Sequence, residues 1–186
     1  NNGINAIGYE SNVDLVKIGN KQLTKNQIKL MDVEKTYQQI LNSDKNILVL
    51  ISVLEHLENP HKMLRNFSLS KIKYLYISVP LFSLSSIIEN SFKNIFPRQL
   101  AADHTHLFTK ESLDYIIKKY KFKVVGEWWF GADFPDFYRS ILNSSNSQIK
   151  TYKPLVDKYL YSVLDQLQNI LDKNKICSQV HMILKK

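Results

Sequence analysis

The sequence predicts an α/β fold built on a mainly parallel, doubly wound sheet. Short apolar runs suited to strands alternate with helix-length segments through the first half of the chain. The run Ile47–Ile51 is unbroken and rich in branched residues, as is typical of a strand buried on both faces. A polar cluster at residues 55–60 follows this run at once, and open α/β sheets bind ligands beyond the carboxyl ends of such strands.

Four strands and three helices are predicted in the first half. The strands are expected at residues 5–9, 27–31, 47–51 and 74–79. The helices are expected at residues 11–17, 34–41 and 60–67. Ser11 or Asn12 is expected to cap the first helix, since both side chains accept hydrogen bonds from backbone N–H groups. Pro60 opens the third helix, because the missing proline N–H costs nothing in a first turn.

The second half is less regular, and residues 82–108 are predicted to form an insertion that is partly helical. Thr109 is the expected N-cap of a helix that ends near Tyr120. The remaining elements are expected as a strand at 122–129, a helix over 152–171 and a strand at 179–184. These two strands are expected to form an antiparallel edge hairpin around the long helix, within a single domain of residues 1–186.

Composition limits the class of partner. The chain has 186 residues and a net charge of +8, but its lysines are scattered and no arginine-rich tract occurs, so no nucleic-acid partner is expected. No apolar stretch approaches the ~20 residues that span a bilayer, so no membrane partner is expected. Without a signal-peptide pattern at the start, and with Cys177 as the single cysteine, the sequence predicts a cytoplasmic protein.

Five motifs follow one another along the chain: GYES at 8–11, Asp32, VLEH at 53–56, ISVP at 77–80 and HTHLFTKESL at 104–113. Their order resembles that of class I S-adenosylmethionine-dependent methyltransferases, most of all the small-molecule and surface-glycan enzymes of the type 11, 12 and 23 groups. The resemblance covers nearly the whole chain. It implies a Rossmann-like fold, S-adenosylmethionine as cofactor, and methyl transfer to a small-molecule or sugar acceptor, as in polysaccharide biosynthesis.

The resemblance also implies which residues contact the cofactor. They are Glu10, Ser11, Asp32, Val33 and Ser52. Glu10 would accept hydrogen bonds from both ribose hydroxyls, a task that suits a carboxylate. Asp32 would accept from the adenine amino group, Val33 would pack near the ring, and Ser52 would lie near the methionine end. The alternatives are a solvated loop for Glu10, a helix N-cap for Asp32 and simply a small strand-end residue for Ser52.

Three histidines are candidate catalytic residues: His56, His104 and His106. A neutral histidine can take the proton from an acceptor hydroxyl as the methyl group arrives. For His56 the favoured alternative is that it and Glu55 shape the turn after the strand. His104 and His106 point to the same side of an extended segment and follow Asp103, so they are candidates for a base, for metal ligands or for braces of the loop.

No metal site is predicted. Some of the resembling enzymes bind a divalent metal with an additional acid three residues before Glu55, and this chain has Ser52 there. Two histidines and one aspartate at loop spacing are not a specific metal signature. Trp128 and Trp129 lie at the end of the fifth strand and are expected in the core, with the wall of an acceptor pocket as the alternative.

One departure from the resembling enzymes concerns their first strand and its glycine-rich loop. The five glycines of this chain do not have the expected GxGxG spacing, so the first strand, loop and helix are expected to be absent. The neighbouring strands would then have unpaired edges. The chain would be a fragment, would receive a strand from a partner, would close its two edges on each other, or would form a homo-oligomer through those edges. The alternative function is therefore an inactive methyltransferase-like fragment that serves as a binding or assembly module.

Overall fold

The computed structural model describes residues 5–23, 27–92, 97–100, 103–143 and 147–186, apart from the side chains of 147–150. The chain divides into two compact units. The first unit comprises Asn1–Asn46 and His61–Ile72, and the second comprises Ile47–Pro60 and Lys73–Lys186. No helix of the described residues is long and apolar enough to cross a membrane.

The first unit contains a parallel strand pair and three helices. Helix α1 (Val13–Gln22) joins strands β1 (Gly8–Glu10) and β2 (Ile28–Leu30), which pair in parallel. The unit also contains helix α2 (Val33–Leu41) and helix α3 (Pro60–Leu69) from His61 onward. The predicted order of these elements is confirmed. Of the two predicted caps of α1, the structure selects Asn12, whose side chain accepts from the next N–H groups, and the helix continues five residues beyond the predicted end at 17.

The second unit contains a four-stranded sheet with the order β3-β4-β6-β5. Strand β3 (Ile47–Ile51) pairs in parallel with β4 (Tyr74–Pro80), while β6 (Gln179–Lys185) is antiparallel to both β4 and β5 (Lys123–Phe130). The antiparallel pairing of the last two strands is confirmed. The antiparallel share of the sheet is larger than predicted, because β6 lies inside the sheet between β4 and β5 and leaves β5 at the edge.

Five helices belong to the second unit in the part of the chain that the structure describes. They are α4 (Leu84–Ser91), α5 (Lys110–Tyr120), α6 (Asp133–Asn143), α7 (Ser147–Tyr159) and α8 (Leu164–Lys173). Thr109 caps α5 as predicted, and α4 gives the insertion its helical part. The prediction of one helix over 152–171 is wrong. A 3-10 turn at Tyr161–Val163 separates α7 from α8, and the Ser162 hydroxyl donates to the Lys158 carbonyl, which competes with regular helix hydrogen bonds.

One face of the four-stranded sheet forms the core of the second unit. Its side chains are almost fully buried: Leu50, Leu75, Ile77, Val79, Val180, Met182 and Leu184. They occupy alternate positions on three adjacent strands, as the pleat of a sheet requires. Because full burial of one such side chain stabilises the fold by roughly 1.5–3 kcal/mol, this face fixes the register of β3, β4 and β6.

A buried carboxylate ties the start of α6 to neighbouring segments. Asp133 is fully buried, and its Oδ1 accepts from the Ser83 hydroxyl at 2.6 Å and the Ser85 N–H at 3.0 Å. Its Oδ2 accepts from the Ser178 N–H at 3.0 Å and the Gln168 side-chain amide at 3.2 Å. Four donors from three segments therefore satisfy one charge. The helix that Asp133 begins was not predicted from the sequence, although Pro135 in its first turn is a typical start signal.

Substituting Gly131 by alanine is expected to disrupt this carboxylate. A Cβ atom there would lie 2.4 Å from Asp133 Oδ2 and 2.8 Å from the Ser178 backbone nitrogen, so the network would have to shift. We expect Gly131→Ala to lower the free energy of unfolding by about 2–3 kcal/mol, measured by urea denaturation. Gly126→Ala is the matched control, because its nearest atom would lie at an ordinary 3.6 Å. Equal stability of the two variants would contradict this account.

Candidate functional site

The candidate site begins where β3 ends. Ser52 follows the strand with φ 51°, in the left-handed region that non-glycine residues seldom adopt, and its N–H donates to the Ser78 carbonyl at 3.1 Å. Such backbone strain costs about 1–3 kcal/mol and clusters at functional sites. A 3-10 turn at Leu54–His56 follows. Within it the Glu55 side chain points inward and is 1% exposed, while His56 is exposed.

The segment before α5 is hydrogen-bonded to this turn. The N–H groups of Thr105 and His106 both donate to the Glu55 carbonyl, at 2.8 and 3.2 Å. The Thr105 hydroxyl lies 2.9 Å from the same carbonyl and 3.1 Å from that of Leu57. These contacts bring His104 beside His56, with their ring centroids 4.8 Å apart in an edge-on arrangement. Two segments about 50 residues apart in sequence therefore form one site.

Backbone carbonyls select the tautomer of both histidines. The Nδ1 atom of His56 lies 2.9 Å from the Asp103 carbonyl, and the Nδ1 atom of His104 lies 2.9 Å from the Gln99 carbonyl. Because a carbonyl oxygen only accepts, each Nδ1 must carry the hydrogen. The lone pair of each neutral ring is then on Nε2. Both histidines are in the form that can take a proton or bind a cation at Nε2.

His106 is held in the same tautomer by a different partner. Its Nδ1 lies 2.8 Å from the Thr105 hydroxyl oxygen. Since that hydroxyl has one hydrogen and two carbonyls within its reach, the oxygen accepts from His106. His106 does not belong to the close group formed by Glu55, His56 and His104. Of the three candidate histidines, the structure therefore brings His56 and His104 together.

Glu55 is the buried acid of the site. Burial is the largest influence on its carboxyl and raises its pKa above the usual 4.5, against the opposing effects of its own N–H, of both neighbouring histidines and of the Ser52 hydroxyl. Its Oε2 atom is buried and has no hydrogen-bond partner within the described part of the chain. An unpartnered buried carboxylate oxygen is unusual, and such atoms mark functional sites.

Among the residues that the structure describes, Glu55, His56 and His104 form a group that could hold a divalent cation. One potential ligand atom from each lies within 4.8 Å of the others. Two histidines and one carboxylate form a recognised catalytic zinc set when water completes the coordination. The sequence predicts that no metal binds, because Ser52 stands where the metal-binding enzymes have a further acid. This stays a prediction.

Removal of metal tests that prediction. After dialysis against EDTA, the protein is expected to retain its activity and its melting temperature, because no metal is expected to bind where Ser52 stands in place of the further acid. Activity and metal content would be measured before and after dialysis, with inductively coupled plasma mass spectrometry for the metal. Loss of activity on dialysis that Mn²⁺ or Zn²⁺ restores would contradict the prediction.

The predicted cofactor residues of the first unit make local contacts. Glu10 accepts from the Asn12 N–H at 2.8 Å and from the Ser11 hydroxyl at 3.5 Å, both at Oε1. Asp32 caps α2, where the Lys35 N–H donates to it at 2.7 Å, and this hydrogen bond is the largest cause of its lowered pKa. The N-cap alternative for Asp32 is thus confirmed. Val33 begins α2 and is 43% exposed.

The two tryptophans lie differently from each other. Trp128 is 64% exposed, so its predicted place in the core is wrong, whereas Trp129 is half-buried. Trp128 lies on the face of β5 opposite to Trp129. The centroid of its ring lies 4.7 Å from that of Phe130 and 5.6 Å from that of His181. The His181 ring also hydrogen-bonds the Tyr76 hydroxyl. Sequence reasoning missed this aromatic group because its members come from three strands.

Comparisons with known proteins define the class of fold. The chain is similar to a SAM-dependent methyltransferase from Archaeoglobus fulgidus, with 20% identity over 99% of this chain and 77% of that chain and a TM-score of 0.60. It is also similar to magnesium protoporphyrin IX methyltransferase from Synechocystis PCC 6803 with bound SAH, with 10% identity, coverage of 97% and 63%, and a TM-score of 0.52. The [4+2]-cyclase SpnF aligns with 12% identity, coverage of 100% and 68%, and a TM-score of 0.50.

No sequence profile of a protein family matches the chain. No curated protein matches it in sequence. The fold is nevertheless that of the class I S-adenosylmethionine-dependent methyltransferases, and the Rossmann-like prediction is confirmed. Because a cyclase shares this fold, the reaction has to be argued from the side chains of the site.

Proposed function

We propose that the protein transfers a methyl group from S-adenosylmethionine to a nucleophilic atom of a small-molecule or sugar acceptor. The observation that carries this proposal is that His56 and His104 lie side by side and that both are held with the hydrogen on Nδ1. Both rings have Nδ1 bound to a carbonyl, which leaves two Nε2 lone pairs beside the buried Glu55. Such a pair of histidines is suited to take a proton from an acceptor hydroxyl or amine while the oxygen or nitrogen of the acceptor attacks the methyl group.

Each residue has a distinct role in this mechanism. The Nε2 atom of His56 or His104 accepts the acceptor's proton, and the ionised Glu55 stabilises the imidazolium that forms. The carbonyls of Asp103 and Gln99 keep the rings in orientation throughout. The cofactor, when bound, would supply the methyl group from its positively charged sulfonium, which becomes a neutral thioether. Alignment of acceptor and cofactor contributes most of the rate in a displacement of this kind.

The predicted acceptor is a small molecule or a sugar. Phe82 is 55% exposed at the start of the insertion, and its N–H donates to the Phe108 carbonyl at 2.8 Å, two residues after His106. An exposed aromatic ring close to the histidine segment suits the apolar face of a sugar or ring.

The free thiol of Cys177 is buried, and burial raises its pKa to about 11, which agrees with the cytoplasmic location that we propose.

A labelled-methyl screen tests the proposed reaction. The protein isolated from its source would be incubated with methyl-labelled cofactor and with nucleotide sugars, glycans and small phenols. We expect label in one acceptor class and an equal amount of S-adenosylhomocysteine. Products that are rearranged without label would favour a cyclase-like reaction, as the similarity to SpnF allows. Tight binding of S-adenosylhomocysteine without any transfer would favour the alternative, a binding or assembly module.

Cofactor binding through Glu10 gives a separate prediction. If its carboxylate accepts from the ribose hydroxyls, Glu10→Gln should weaken S-adenosylhomocysteine binding by about 10-fold to 100-fold, since hydrogen bonds to charged groups contribute roughly 1.5–3 kcal/mol. Isothermal titration calorimetry measures the change. Asp14→Asn is the control, because Asp14 is a 75% exposed carboxylate on the adjacent helix. Unchanged affinity of Glu10→Gln would remove Glu10 from the proposed contacts.

A further inference from the structure

Glu89 lies on α4 and binds the backbone at residues 99 and 100. Its side chain is half-buried, and its carboxylate accepts from two successive backbone N–H groups. The nitrogen of Gln99 lies 2.9 Å from both carboxylate oxygens, and the nitrogen of Leu100 lies 2.8 Å from Oε2. The mechanism of methyl transfer gives this half-buried charge no role.

Two of the hydrogen bonds at this place share one peptide unit. The carbonyl of Gln99 and the N–H of Leu100 belong to the same peptide bond. The N–H donates to Glu89, and the carbonyl accepts from Nδ1 of His104 at 2.9 Å. These contacts therefore form a continuous chain from a carboxylate, through one peptide group, to the imidazole of a candidate catalytic histidine.

A peptide group transmits polarisation from its N–H to its carbonyl. Its C–N bond has partial double-bond character, so a negative charge at the N–H increases the negative charge on the carbonyl oxygen. Hydrogen bonds in such chains strengthen one another by roughly 10–30% per bond. Because Gln99 is only 2% exposed, water competes little for its carbonyl. The Glu89 carboxylate thus makes the Gln99 carbonyl a stronger acceptor for the Nδ1–H group of His104.

The helix that carries Glu89 is itself held in place. The Ser83 side chain caps α4, and its hydroxyl donates to the buried carboxylate of Asp133. A group on a well-supported helix positions its partner more precisely than a group on a loop does. Glu89 can therefore fix the peptide unit between residues 99 and 100, and through it the orientation of the His104 ring.

We propose that Glu89 is a positioning residue for methyl transfer, which holds His104 through this peptide unit with the hydrogen on Nδ1 and the lone pair on Nε2. Its part in catalysis rests on the proposed function, whereas its hold on the tautomer rests on the contacts alone. When His104 takes the acceptor's proton, its Nδ1–H group becomes a charged donor and its bond to the carbonyl strengthens. The contribution of Glu89 is then largest in the transition state, so its loss lowers kcat.

Nuclear magnetic resonance of ¹⁵N-labelled histidine rings tests this hold directly, because the two tautomers differ in the shifts of their ring nitrogens. Spectra would be recorded at about pH 8, where histidine is ordinarily neutral. Glu89→Gln keeps the shape of the side chain but removes its charge. It should lower the ratio of the Nδ1–H to the Nε2–H form at His104 about fivefold, the effect of losing one ordinary hydrogen bond. His56 is an internal control, since its Nδ1 contacts the Asp103 carbonyl instead.

The kinetic readout separates positioning from binding. In Glu89→Gln, kcat for methyl transfer should fall about fivefold, while the KM for the acceptor should change little. Glu58→Gln is the matched control, because it removes the same charge from an exposed glutamate. It should leave kcat and the tautomer of His104 unchanged.

An unchanged His104 tautomer in Glu89→Gln would overturn the proposal, because Glu89 would then only hold the chain against α4. Scalar couplings across the two hydrogen bonds are a second readout, which needs no variant to fold. They would join the His104 Nδ1 to the Gln99 carbonyl carbon, and the Leu100 nitrogen to the Glu89 carboxyl carbon. Absence of either coupling in the unmodified protein would also overturn the proposal. A shifted tautomer without methyl transfer to any acceptor would support the hold by Glu89 and contradict the proposed function alone.

Discussion

Replacing Glu55 by glutamine is expected to slow methyl transfer by about 100-fold, a typical contribution of one group to acid–base catalysis. The carboxylate lies beside His56 and His104, and in the proposed mechanism it favours the positive charge that either ring would gain with the acceptor's proton. Glutamine has nearly the same shape but no charge, so the histidines stay in place and the imidazolium is no longer stabilised. The rate constant kcat reports this change, whereas the KM for the acceptor should change little.

The same substitution is expected to stabilise the fold by roughly 1 kcal/mol at neutral pH. Burial raises the pKa of Glu55 above 4.5, so the folded protein binds this proton more tightly than the unfolded chain does. The destabilising effect of the ionised carboxylate is therefore absent below about pH 4.5 and increases as the pH rises through the raised pKa. The melting temperature of Glu55→Gln should exceed that of the unmodified protein near pH 7 and match it near pH 4.

Glu58→Gln is the control for both measurements, because Glu58 is an exposed glutamate three residues further along the chain. It should leave kcat and the pH dependence of the melting temperature unchanged. Full activity of Glu55→Gln would show that the carboxylate only shapes the turn after β3. A melting temperature that falls at neutral pH would show that Oε2 has a stabilising partner.

Replacing Asp133 by asparagine is expected to lower the free energy of unfolding by about 3–5 kcal/mol, the usual effect of removing one partner of a buried charge. Each carboxylate oxygen accepts two hydrogen bonds. An asparagine NH₂ group in place of either oxygen would face two donors and satisfy neither. The loss is a large part of the ~5–15 kcal/mol that stabilises a typical domain.

Urea denaturation of Asp133→Asn checks this expectation. Asp165→Asn is the matched control, because Asp165 is exposed on α8 and should change stability by no more than about 0.5 kcal/mol. If Asp133→Asn were as stable as Asp165→Asn, the four donors would have other acceptors and the carboxylate would not hold the start of α6. If the double variant loses less stability than the sum of the losses of Asp133→Asn and Gly131→Ala, both substitutions act on the same network.

Local signals predicted the elements that depend on local physics. The strand at Ile47–Ile51, the helix start at Pro60 and the cap at Thr109 all lie where the sequence placed them. Each of these signals acts within a few residues. Strand β6 was predicted as a strand, but its place between β4 and β5 depends on pairing with residues about 100 positions away. The sequence contains no local record of that pairing.

The candidate site shows the same division. His56 and His104 were recognised by residue type, because imidazoles near a buried strand end suit proton transfer. Their approach to 4.8 Å between ring centroids depends on hydrogen bonds from the backbone of Thr105 to the carbonyl of Glu55. The choice of tautomer depends on two further backbone carbonyls. Backbone atoms are the same at every residue, so no residue pattern indicated these contacts.

The most direct test of the central claim is the transfer of label from methyl-labelled S-adenosylmethionine by the unmodified protein and by Glu55→Gln. The account predicts that the unmodified protein labels a small-molecule or sugar acceptor and that Glu55→Gln does so about 100-fold more slowly. Both proteins should bind S-adenosylhomocysteine with the same affinity. Equal rates of transfer by the two proteins, or cofactor binding with no transfer to any acceptor, would contradict the claim that this cluster performs the reaction.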